Sequence, residues 1–389
     1  MPTDLGRLGL SFNPFEPSAT GAPVRHDLWL PQGWKKKLQE LLNSLNTATG
    51  VKAIAISGAY GSGKSYILQW LHQNEFPCRR VKPFYFDNPG VQFYDLANAL
   101  LRQIGRKDFA KFIWELAGNN VSTYQGHLFA RGFEAYLATY KASRQRGVVF
   151  SELQDAIKKT GITTDDEIAH RLARLVAETP TKPYFEYRDF IAGKADTLVA
   201  EREEGPYFGA ILRTLRLGAG IQAVGFLIDE FEEVGLQKVL SRREAHEYLI
   251  TLKRLINLTS AEDLWVVVAL TPDGVSKSTS LEPALWERFT GSEKYHFQIP
   301  PLQERDAVEL VRFRIEGARD ATTKVPTAVH PFPDDFCQAL EPTTFSIPRR
   351  LVKVCFHAVN GAEREAVPFS HSYLKSVQQR YYRSESTEE

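Results

Sequence analysis

Cysteine is scarce in this chain: Cys78, Cys337 and Cys355 are the only three in 389 residues. They lie far apart and match neither a disulfide framework nor a metal-ligand spacing, which excludes a stapled secreted scaffold and fits reduced thiols in a cytoplasm. Charge of one sign is missing too, since 48 Lys and Arg face 47 Asp and Glu. No overall field would hold the chain on nucleic acid or an anionic membrane, so any DNA contact must come from a local patch. Long hydrophobic runs are also absent. No window approaches the ~18 apolar residues that span a bilayer, and the start MPTDLGRLGLSFNPFEP has no apolar stretch flanked by basic residues. Neither secretion nor a membrane partner is expected. There is no fixed-period repeat, and no low-complexity tract beyond the polar tail SESTEE.

What is present is the composition of a folded protein, with 43% hydrophobic and 24% charged residues. The length exceeds one compact core, so two or three units are expected. Residues 1–50 read as a lead-in, extended where Pro14, Pro17, Pro23 and Pro31 alternate with glycines. It would wrap the unit that follows and end in a helix with Trp34, Leu38, Leu41, Leu42 and Leu45 on one face. VKAIAISG, residues 51–58, is a short apolar strand that ends in glycine and precedes the helical SYILQWLHQ. A second strand, VKPFYFDNP from Val81, precedes the amphipathic FYDLANALLRQIG, a further βα step of a parallel sheet. From about 108 to 205 the periodicity is helical, clearest in ELQDAIKKTGI and TTDDEIAHRLARLVAE. Strands resume at AVGFLIDE, residues 223–230, and LWVVVALT, residues 264–271, with a charged helical stretch between them. After Pro300 and Pro301 only helices are expected, which sets off 301–389 from an α/β domain over 51–300.

GAYGSGKS fits G-x-x-x-x-G-K-[ST] at every fixed position, and it lies between a strand and a helix. Gly58, Ala59, Tyr60, Gly61, Ser62, Gly63, Lys64 and Ser65 are therefore the expected phosphate cradle, with backbone N–H groups curled around phosphate oxygens at a helix start. Lys64 would reach the outer phosphates of ATP, and the Ser65 hydroxyl would ligate Mg²⁺. GFLIDE ends an apolar strand in two carboxylates. Asp229 is the expected second metal-side residue, and Glu230 the residue that orients and deprotonates the attacking water. Glu232 and Glu233 read as solvated. Thr271, at the tip of the next strand, could hydrogen-bond that water or a phosphate.

These residues resemble the AAA+ superfamily of P-loop ATPases, in particular the branch of origin-recognition ATPases and transposon target regulators. The resemblance covers most of the chain outside 108–205. It implies a three-layer P-loop parallel sheet with a helical insert and an all-α lid, in which the acidic strand is Walker B and Thr271 matches sensor 1. IPRRL, residues 347–351, looks like the family's lid motif, with Arg349 as sensor 2 and Arg350 as the fallback. LEPALWERF, residues 281–289, resembles the arginine-finger segment, so Arg288 would act on a neighbouring subunit's ATP. The stretch GPYFGAILRTLRLGAGIQAVGFLIDEFEEVGLQK, with the SRREAHEYL helix, is similar to ATP-binding proteins of BREX-type phage-defence loci.

The expected function is an ATPase that forms homo-oligomers on DNA, or on a DNA-bound protein partner, in a prokaryotic defence or mobile-element system. The chain stops after the lid helices, so no winged-helix domain and no sequence-specific reading of DNA are expected. The alternative is a nucleotide-controlled switch that activates an effector without DNA. A protein-remodelling motor would need an aromatic-glycine pore loop, whereas FYFDNPGVQFYDL reads as strand plus helix.

Overall fold

The computed structural model describes residues 4–16, 28–47, 50–87, 89–90, 92–118, 132–135, 146–182, 184, 186–191, 198–229, 242–290, 295–320, 325–365 and 368–388. Five strands, β1 (Ala53–Ser57), β2 (Val81–Phe86), β3 (Ala223–Ile228), β4 (Leu264–Leu270) and β5 (His296–Gln298), form one parallel sheet in the order β2-β3-β4-β1-β5. Every residue of β1, β3 and β4 is buried. That is the burial of parallel strands covered on both faces, and it explains why their sequences read as unbroken apolar runs. β2 and β5 stand at the edges and are only partly buried. Pro83 lacks an N–H and is tolerated in β2 because β2 is an edge strand.

The helices in chain order are α1 (Gln32–Thr47), α2 (Lys64–Trp70), α3 (Phe93–Ile104), α4 (Arg106–Gly118), α5 (Arg146–Lys159), α6 (Asp166–Glu178), α7 (Tyr187–Ile191), α8 (Leu198–Ala219), α9 (Arg242–Leu258), α10 (Pro272–Leu281), α11 (Pro283–Thr290), α12 (Glu304–Ala318), α13 (Pro348–Glu365) and α14 (His371–Glu388). The expected βα steps hold, and no strand interrupts the described residues between α4 and α8. α2 runs on through a π turn, Leu71–Glu75, and a last turn, Phe76–Cys78. PDDFCQALEP forms a 3-10 turn, Phe336–Ala339, rather than a helix.

The chain divides into two compact units. One comprises Leu41–Ala55 and Leu71–His296. Its core joins β2 and β3 to the insert through aromatic edges: Phe86 meets Phe226 at 5.0 Å between ring centres, Phe226 meets Phe208 at 6.2 Å, and Phe208 meets Phe93 at 4.8 Å. Tyr187 of α7 continues the series, 6.3 Å from both Phe93 and Phe208. Within the insert, buried Arg106 donates to the carbonyls of Leu175 and Tyr184 at 2.9 Å each, and at Leu175, in the last turn of α6, it shares the carbonyl with the Thr179 hydroxyl.

The other unit comprises Met1–Glu40, Ile56–Trp70 and Phe297–Glu389. The lead-in is not extended throughout, since Asp4–Leu8 is a 3-10 turn. Residues 9–16 are fastened to the C-terminal segment of the same unit. Leu10 pairs with Arg319, Asn13 donates to the Phe356 carbonyl and to Asn360, and Phe15 packs edge-on against Phe332.

Candidate functional site

β1 is wholly buried, so the chain leaves the sheet at Ser57 and must turn before α2 starts at Lys64. Gly61 and Gly63 make that turn with φ of 77° and 100°, a region that favours glycine. At Gly61 a second constraint applies, because an added Cβ would lie 2.8 Å from Arg349 Cβ. Arg349 therefore approaches the loop so closely that only glycine fits. Arg349 stands in the first turn of α13, where backbone N–H groups have no partner within the helix. Its N–H donates to the Gly61 carbonyl at 3.2 Å.

Lys64 is 9% exposed, and its Nζ donates to the carbonyl of Gly58 at 3.1 Å and to that of Ala59 at 3.5 Å. The ammonium is held inside its own loop. Tyr60 is the reverse case, 71% exposed. Its hydroxyl accepts from Arg349 Nη1 at 2.8 Å, and its ring centre lies 4.6 Å from the Arg349 guanidinium carbon. Arg350 turns elsewhere, over the Tyr382 ring at 5.8 Å. The Ser62 Oγ is buried and has no hydrogen-bond partner among the described residues. An orphaned hydroxyl within a glycine-rich turn fits a loop that takes a ligand rich in oxygen. Behind the loop, burial raises the Tyr66 phenol above its ordinary pKa, and the Trp29 N–H donates to that oxygen at 2.9 Å.

In the other unit, Asp229 follows β3 and is 3% exposed. Its Oδ2 accepts from the Tyr85 hydroxyl at 2.5 Å. The register explains the meeting: Tyr85 of β2 stands opposite Leu227 of β3, and Asp229 lies two residues beyond on the same face of the pleat. Tyr85 is the residue that sequence reasoning missed. The Thr271 hydroxyl accepts from the Gly274 N–H at 3.1 Å, so it caps α10 and keeps its own proton to donate. Glu230, Glu232 and Glu233 lie outside the described residues. Arg288 falls within α11, and its side chain lies outside them as well.

Among the described residues no three His, Cys, Asp or Glu side chains converge as a metal cage. A Mg²⁺ that arrives on phosphates needs only one or two protein oxygens, and a hydroxyl such as that of Ser65 or a carboxylate such as that of Asp229 is each a donor of the kind it takes. No helix among the described residues is long and apolar enough to cross a membrane. Fold and loop together define an α/β protein with an open parallel sheet and a glycine-rich turn from strand to helix. No protein-family model matches the chain, and no curated protein matches it at a significant level.

Proposed function

We propose that the chain is a cytoplasmic P-loop ATPase of the AAA+ type, with a three-layer core and a helical lid, that binds ATP with Mg²⁺ and hydrolyses it. The loop after β1 carries this reading: it fits the phosphate-cradle motif at every fixed position, its Gly61 and Gly63 are left-handed, and it leads into a helix at Lys64. Strand order supports it. The chain leaves β1 toward β2 on one side and leaves β4 toward β5 on the other, and open parallel sheets bind ligands at the carboxyl ends of strands where the order reverses.

In this function Lys64 leaves the Gly58 and Ala59 carbonyls to neutralise the outer phosphates. Ser65 and Asp229 hold the Mg²⁺, which when bound offsets phosphate charge. Glu230 orients a water and takes its proton as the water oxygen bonds to the terminal phosphorus; the bridging P–O bond breaks, and ADP leaves with both electrons of that bond. Thr271 offers its hydroxyl proton, Arg349 neutralises charge from the lid, and Arg288 does so from a neighbouring subunit. The homo-oligomer acts on DNA, without reading its sequence, or on a DNA-bound protein of a prokaryotic defence or mobile-element system.

The test is uptake of labelled ATP with Mg²⁺. Lys64→Ala is expected to weaken it roughly 10- to 100-fold, the loss of one or two charge-assisted bonds, with an unchanged unfolding midpoint. Equal uptake by both proteins, or none by the parent, rejects the function.

The series of aromatic edges from Phe86 to Tyr187 favours a second reading, in which the nucleotide state reaches the insert and a partner rather than DNA. Capture by Glu230→Gln protein with ATP separates the two: an effector recovered without nucleic acid supports the switch.

A further inference from the structure

We propose that Tyr60 is the resting partner of the Arg349 guanidinium, and that a triphosphate draws Arg349 off it, so that Tyr60 tempers the preference of the loop for triphosphate over diphosphate. The inference rests on the nucleotide-binding function and adds to it a residue that the motif leaves open.

The Arg349 guanidinium is engaged twice by one side chain, through the Tyr60 hydroxyl at 2.8 Å and over its ring at 4.6 Å from the centre. Tyr60 is 71% exposed, so the contact lies in water, where a cation–π pair is weak. Phosphate oxygens offer the same guanidinium parallel, charge-assisted bonds, and these are the stronger. Arg349 does not need its helix to move for the exchange. Its backbone N–H is anchored on the Gly61 carbonyl, and its Cβ is seated against Gly61, so rotation of the side chain alone changes its partner. Lys64 is placed alike, on the carbonyls of Gly58 and Ala59. Both cations at this loop thus rest on groups of the loop itself. The carbonyls that hold Lys64 cannot be removed by substitution, whereas the tyrosine that holds Arg349 can.

Affinities for ADP and for a non-hydrolysable ATP analogue are measured on the parent, Tyr60→Ala, Tyr60→Phe, Arg349→Ala and the Tyr60→Ala/Arg349→Ala double variant. Tyr60→Ala is expected to tighten the analogue about three- to tenfold, the ratio that an exposed cation–π pair with one hydrogen bond commands. ADP is expected to change less than twofold. Tyr60→Phe keeps the ring and loses the hydroxyl, so it should fall between parent and Tyr60→Ala. In the Arg349→Ala background, Tyr60→Ala should have no effect. The inference is overturned if Tyr60→Ala weakens the analogue, shifts both nucleotides equally, or acts the same without Arg349.

The same four alanine-cycle proteins, heated without nucleotide, check the pairing alone. Non-additive unfolding midpoints are expected, and additive ones refute the contact. A parent that takes up neither nucleotide sinks the ATPase function and the exchange with it. Normal uptake with an inert Tyr60 sinks only the exchange.

Discussion

At the scale of single residues, the contact that most constrains the chemistry is the one between Tyr85 and Asp229. A buried carboxylate turned by a phenol is held in a fixed direction, which the metal-side role proposed for Asp229 needs. Tyr85→Phe keeps the ring and removes the donor, and a hydrogen bond to a charged group contributes about 1.5–3 kcal/mol. ATP affinity is therefore expected to fall roughly tenfold in saturating Mg²⁺ and to stay unchanged in excess chelator, as titrations under both conditions would record. An equal loss under both conditions would mean that the tyrosine serves the fold and not the metal side. The sequence makes Asp229 conspicuous because an acidic residue at the end of an apolar run is a local signal. It hides Tyr85, 144 positions away, because their meeting depends on which strands are neighbours and in what register. The Tyr60–Arg349 contact is hidden for the same reason: IPRRL marks Arg349, but no spacing says that it lands on the loop.

At the scale of elements, the four longer strands are legible since each is an apolar run bounded by turn residues. β5 is not legible, because a three-residue edge strand before two prolines has no room for a pattern. Gly225 in the middle of β3 is a further mark that only packing explains. A Cβ there would lie 2.4 Å from the Phe76 ring and 2.9 Å from Val81 Cγ1, and the Phe76 ring is fully buried and packs edge-on against Trp265 at 5.9 Å. Phe76 has nowhere to retreat. Alanine at this position gains up to ~1 kcal/mol from a stiffer unfolded chain, yet overpacking costs about 1–3 kcal/mol. Gly225→Ala is expected to lower the urea midpoint with an unchanged slope, whereas a raised midpoint would show that β3 has spare room beside Phe76.

At the scale of the whole molecule, the near balance of 48 basic and 47 acidic residues removes a barrier to self-association, since like-charge repulsion between copies is minimal. The proposed role of Arg288 then has a consequence that no intramolecular residue shares. An arginine that neutralises charge on a neighbour's phosphates accelerates hydrolysis only in assembled chains, so mass action ties the rate per chain to protein concentration. ATP turnover per chain is expected to rise with concentration in the parent and then level off. Arg288→Ala is expected to bind ATP as the parent does and to stay at the low rate across the range, at least ~10³-fold below the plateau if Arg288 contributes as trans-acting arginines do. A parent rate per chain that is flat from dilute to concentrated protein would place all of the chemistry within one chain, and Arg288 would then have no part in it.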